Sequence, residues 1–181
     1  MDRPNILLFM CDHGDNLGSH GKFNKSALIE ESILIPFLLR DPRQPAGIVA
    51  DQGMVSLVDV MPTLLDLAGA ACPASVQGTS LADAVRGDET AALPAAAVIE
   101  TSRAVGVRTR THLLGICKDE ERGALGPTPD LFFDVAQDPY ELRNLAGTGE
   151  QQALGDALAR KVRAWDAETP WLQAPPPTDV M

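Results

Sequence analysis

An unbroken apolar run from Ile6 to Cys11 fits a buried strand over residues 5–10. It stops at a polar turn, Cys11-Asp12-His13-Gly14. Residues 12–25 then carry Asp12, His13, Asp15, His20, Lys22 and Lys25 among Gly14, Gly18 and Gly21. Such a stretch is too polar and too glycine-rich for a core element and predicts a loop that holds side chains. Residues 33–39 are apolar again with Pro36 inside, so they predict a strand that lies at an edge or begins at the proline.

The clearest helix falls at residues 56–69. Leu57, Val60, Met61, Leu64, Leu65 and Ala68 recur at helical spacing, Asp59 suits the cap, Pro62 is tolerated in the first turn and Gly69 ends it. Its apolar face predicts a large packing partner. A short helix is expected at residues 80–86. Four short apolar segments, 95–100, 104–108, 112–116 and 130–134, are separated by turn residues and predict a small antiparallel sheet. Residues 151–166 place Leu154, Leu158, Val162 and Trp165 on one face of a final amphipathic helix. Pro170 and Pro175-Pro176-Pro177 predict an extended tail.

These elements divide into an α/β portion over residues 1–94 carrying the polar loop, a carboxy-terminal antiparallel sheet plus helix over 95–169, and a tail over 170–181. A chain of 181 residues can bury a real core, and 45% apolar with 22% charged residues is a globular composition. The formal net charge of −10 argues against a nucleic-acid or anionic-membrane partner. No apolar run approaches the roughly 20 residues that cross a bilayer. With no cleavage site after the first run, a cytoplasmic chain is expected. The three cysteines, Cys11, Cys72 and Cys117, are too scattered for a disulfide scaffold and suggest a reducing compartment. Cys11 and Cys72 read as small apolar fillers.

Chemistry concentrates after the first strand. Asp12 and His13 stand where open α/β sheets hold ligands, and a carboxylate beside an imidazole can reach one divalent cation. The same dipeptide also fits a turn that caps its own amides. Lys25 and His20 could bind a tetrahedral oxyanion and protonate a leaving oxygen, as phosphoryl and sulfuryl transfer require; solvated surface side chains remain the alternative. Asp15 is a candidate acceptor for orienting one of these donors.

The order of residues resembles a known family. Asp12-His13-Gly14-Asp15-Asn16-Leu17-Gly18-Ser19-His20-Gly21, then Lys25, Glu30-Glu31-Ser32 and Ile35-Pro36, is similar to the later metal-binding segment of the sulfatases, in the alkaline-phosphatase-like superfamily. Residues 55–69 resemble the helix that follows it. Leu131-Phe132-Phe133-Asp134 with Asp138-Pro139-Tyr140-Glu141-Leu142-Arg143-Asn144-Leu145 resembles the family's carboxy-terminal signature. The resemblance implies a partial alkaline-phosphatase-like α/β sheet and metal-dependent hydrolysis of a sulfate ester. It implies Asp12 and His13 as ligands of a divalent metal, usually Ca²⁺, with Mn²⁺ or Mg²⁺ as alternatives, and Lys25 as the contact to sulfate and leaving oxygen. His20 belongs to the same motif. Asp138-Pro139 and Asn144 read as a turn and its cap.

The family's C/S-x-P-x-R motif, source of its formylglycine nucleophile, occurs nowhere in the sequence. The first strand runs straight into the later Asp-His-Gly loop, as though a long internal segment were missing. Three readings follow: a sulfatase of impaired turnover, a non-catalytic remnant that binds metal or sulfate, and a phosphate or phosphonate monoester hydrolase relative. The resemblance implies a small sulfate ester or sulfate as partner, and less protected sheet edges make a homo-oligomer conceivable.

Overall fold

The computed structural model describes residues 5–25, 27–44, 47, 52–88, 90–119 and 124–169; the proposed tail lies outside them. Strand β1 (Leu7–Met10) leads through a loop and a 3-10 turn (Ser19–Gly21) to a single helical turn, α1 (Glu30–Ile33), and then to β2 (Phe37–Arg40). The two strands pair antiparallel, Leu7 opposite Arg40 and Met10 opposite Phe37. Pro36 sits immediately before β2, where its missing N–H removes nothing from the ladder.

The expected burial of the first strand is not found. Leu7 is 69% exposed, Phe9 59% and Leu38 of β2 60%. An apolar run reports that a strand is built to be covered, and among the described residues β1 has β2 as its only strand neighbour. The same holds for the helix at residues 56–69. A 3-10 turn (Leu57–Asp59) runs into α2 (Val60–Leu67), which buries Pro62, Thr63 and Leu67 while Leu57, Val58 and Met61 stay exposed. Its neighbour is the short α3 (Ala82–Val85), not a large layer. Asp59 is the residue before α2, as expected of a cap, but makes no side-chain cap bond to that helix, and Ser56 caps the 3-10 turn. Asp59 stands three places on and completes a capping box with the Ser56 N–H. Cys11 and Cys72 are exposed, so neither fills a core.

The main core lies in the carboxy-terminal part. Strands β3 (Ala96–Glu100), β4 (Ala104–Thr109), β5 (His112–Asp119) and β6 (Ala124–Leu125) follow one another across an antiparallel sheet, and β7 (Leu131–Asp134) pairs with β5. Helix α4 (Gln152–Glu168) lays Leu158 and Val162 on Val105, Val107, Leu114, Ile116 and Phe132. Gly155 lets the helix come close, since a Cβ there would meet the Phe132 ring at 3.2 Å. Leu154, expected on the buried face, is partly exposed.

On the other face of this sheet Gly106 of β4 and Gly115 of β5 stand opposite each other. The bare patch they leave receives Leu28, whose Cδ1 would lie 2.9 and 2.7 Å from a Cβ added at either glycine. Leu28 is buried. This knob seats the polar loop on the sheet, three residues after Lys25.

Candidate active site

Gly14 fixes the start of the loop. Its N–H donates to the Ser32 carbonyl at 2.9 Å, and an added Cβ would stand 2.0 Å from the Glu31 carbonyl oxygen. Only a residue without a side chain permits this approach. His13 is thereby turned so that Nδ1 lies 2.6 Å from the Gly14 carbonyl oxygen. A carbonyl can only accept, so Nδ1 carries the proton and Nε2 presents its lone pair. The Lys25 ammonium donates to that Nε2 at 2.8 Å, and the Asp12 carboxylate lies 3.6 Å from the same atom.

Asp12, His13 and Lys25 line a cleft of about 1280 Å³, and Glu30 and Arg108 line it too. Arg108 grips Glu30 through two bonds of 2.8 and 2.9 Å, a fork-to-fork pair that fixes α1 against β4. Leu34, Val55, Val98 and Ile99 supply apolar wall. A smaller polar hollow of about 410 Å³ also reaches Lys25 and is lined by Lys22, Arg103 and the buried Asn16.

His20 does not join the cleft lining. It adopts φ 55° in the 3-10 turn after Gly18, and a ring nitrogen lies within 4.8 Å of carboxylate oxygens of Glu31 and Glu141. Asp15 orients backbone and none of the candidate donors: its carboxylate accepts from the Leu17 N–H at 2.9 Å. Asp138 accepts from the Arg143 N–H. Asn144 accepts from the Phe132 and Ala146 N–H groups and donates to the Asp130 carbonyl.

Sequence reasoning assigned no role to Glu141, which is 2% exposed. One of its oxygens accepts from the Glu30 N–H at 2.8 Å, so the carboxy-terminal turn holds the start of α1 across 111 residues of sequence. Burial, then the nearby carboxylates of Glu30 and Glu31, push its carboxyl up to about 7. Its position within Asp138-Pro139-Tyr140-Glu141 was the only signal, and that motif says nothing of what lies opposite it.

The family described as N-sulphoglucosamine sulphohydrolase, C-terminal, matches residues 18–168. The chain belongs to the sulfatase family. An arylsulfatase of Clostridium perfringens is 33% identical to it over 159 residues, covering 86% of this chain and 32% of that protein. Among solved structures, a 2-O GAG sulfatase is similar with a TM-score of 0.67 at 26% identity, over 91% of this chain and 38% of that one. The phosphonate monoester hydrolase of Agrobacterium radiobacter shares the fold, with a TM-score of 0.72 at 23% identity over 90% of this chain and 35% of that one. This sulfatase-family chain therefore spans about a third of the length of the curated relatives it matches. The matched family segment contains His20, Lys25, Glu31 and Glu141 and begins after Asp12 and His13.

Proposed function

We propose that the protein serves metal-dependent hydrolysis of a small sulfate ester, contributing the anchors of a divalent cation and a lysine that grips the sulfate. The observation that carries this reading is the meeting of Lys25 Nζ, His13 Nε2 and the Asp12 carboxylate at the wall of an open cleft. The donor set suits a cation in part. Asp12 offers an exposed carboxylate and His13 an unprotonated nitrogen, two of the several ligands a hard ion takes. By family likeness Ca²⁺ is the first choice, with Mn²⁺ or Mg²⁺ as alternatives. Such an ion would supply positive charge against the sulfate oxygens. Lys25 now spends its proton on His13. It is close enough to turn to an oxyanion or leaving oxygen beside that ring and hold or donate a proton there.

With no C/S-x-P-x-R motif in the sequence, the group that attacks sulfur has to come from outside these residues. Turnover of an aryl sulfate by this chain alone is therefore expected to be very low. A non-catalytic role in binding metal or sulfate is the second reading, favoured by that same missing group. The phosphonate hydrolase fold likeness keeps phosphate and phosphonate esters as competing ligands. Three cysteines, exposed and unpaired, support a reducing, cytoplasmic compartment; no helix among the described residues is long and apolar enough to cross a membrane. The exposed apolar faces of β1 and β2 support association with another copy.

Titration calorimetry tests the reading. Sulfate should bind in the presence of Ca²⁺, Asp12→Asn should weaken the ion, and Lys25→Ala should weaken sulfate by about tenfold, the loss of one charge-assisted bond. Equal sulfate affinity in wild type and Lys25→Ala would overturn it, and tighter phosphate than sulfate would favour the ester-of-phosphorus alternative.

A further inference from the structure

A second group of metal-ligating atoms includes neither Asp12 nor His13, and none of its residues lines the cleft. His20 comes from the 3-10 turn, Glu31 from α1 and Glu141 from the carboxy-terminal turn, which is distant from the other two in sequence. One ligand atom from each lies within 4.8 Å of the others. Among the described residues neither the His20 ring nor the Glu31 carboxylate takes part in a hydrogen bond or ion pair, and Glu141 spends only one of its two oxygens. The decisive atom is Glu141 Oε1. It is buried without any hydrogen-bond partner, on a side chain whose other oxygen is pinned by the Glu30 N–H and so cannot swing out to water. A buried carboxylate oxygen left unpaired costs free energy unless a proton or a cation meets it.

We propose that His20, Glu31 and Glu141 form a three-ligand site for a borderline divalent ion, Zn²⁺, that ties the polar loop and α1 to the carboxy-terminal turn. One imidazole with two carboxylates is a nitrogen and oxygen set of the kind Zn²⁺ takes, and a fourth position is open to water because His20 is exposed. A soft thiolate site is excluded by the ligands. Glu31 is half-buried and His20 exposed, so both have room to close on an ion held beside the fixed Glu141 carboxylate. The electrostatics agree, since neighbouring carboxylates and burial resist a bare charge on Glu141 and a cation would remove that resistance.

The test uses the full chain freed of metal by chelation, carrying Asp12→Asn so that the first site contributes little. Zn²⁺ should bind with one equivalent and raise the thermal midpoint. Co²⁺ in its place should give visible d–d bands of a protein-ligated ion that excess Zn²⁺ erases. Glu141→Gln keeps the acceptor for Glu30 but not the charge, and His20→Gln alters only an exposed loop residue. Each should lower Zn²⁺ affinity by about tenfold or more. Wild-type-like binding in both variants, or no Zn²⁺ bound in the Asp12→Asn chain while sulfate and Ca²⁺ still bind the wild type, would overturn the second site and leave the first untouched.

Discussion

Lys25 is placed by a residue that touches no ligand. Leu28 seats into the bare patch over Gly106 and Gly115, and the backbone leading to it carries Lys25 to His13. Leu28→Ala is expected to destabilise the fold by about 2–5 kcal/mol, the range for removing a buried leucine. Sulfate binding should weaken as well, measured by denaturant unfolding and calorimetry on one sample. Gly14→Ala should be worse for the loop than its size suggests, because the new Cβ meets a carbonyl and not a flexible side chain; a thermal midpoint equal to wild type would refute this. At this scale the sequence was readable where chemistry is local. Asp12, His13 and Lys25 stood out because polar atoms collect where an apolar run stops. Glu141 and Arg108 did not, since the Glu30 they both hold is 111 and 78 residues away and no periodicity encodes such a partner.

Among the elements, the carboxy-terminal strands and α4 follow their alternation and helical spacing closely, because both faces of that sheet find their partners within the chain. The same kind of signal predicts burial for β1 and α2, which are half bare. A hydrophobic pattern records what an element is meant to meet, not whether the partner is present. The end of β2 shows how a charge can tie elements together. Asp41 is buried, is gripped by Arg43 at 2.6 Å, and Arg43 also donates to the Leu67 carbonyl at the end of α2. Chiefly through the Arg43 hydrogen bond, its carboxyl is lowered to about 2. A depressed carboxylate contributes stability above its ordinary range and loses it as pH falls toward about 2. Asp41→Asn should therefore lower the thermal midpoint at pH 7, with the gap to wild type closing in acid. A gap that stays constant with pH would show that the ion pair contributes nothing. Asp59 accepts from both the Ser56 and Thr79 N–H groups. Asp59→Ala should cost about 1–2 kcal/mol as the cap and the second acceptor are lost together.

For the molecule as a whole, a sulfatase-family chain spanning a third of its relatives carries the loop of Asp12, His13 and Lys25 on a well-packed sheet and leaves apolar strand and helix faces uncovered among the described residues. Sedimentation should show concentration-dependent association, reduced by Phe9→Lys. A sharp monomer at all concentrations would mean that these faces are tolerated in water. The anchoring claim itself rests on the protonation of one imidazole. The long-range ¹H–¹⁵N spectrum of the chain, with its three histidines, reports this directly. His13 is expected as the Nδ1–H tautomer, with its Nε2 signal moving on addition of a divalent ion and still moving in Lys25→Ala. An Nε2–H tautomer, or an Nε2 signal indifferent to Ca²⁺ and Mn²⁺ alike, would contradict it.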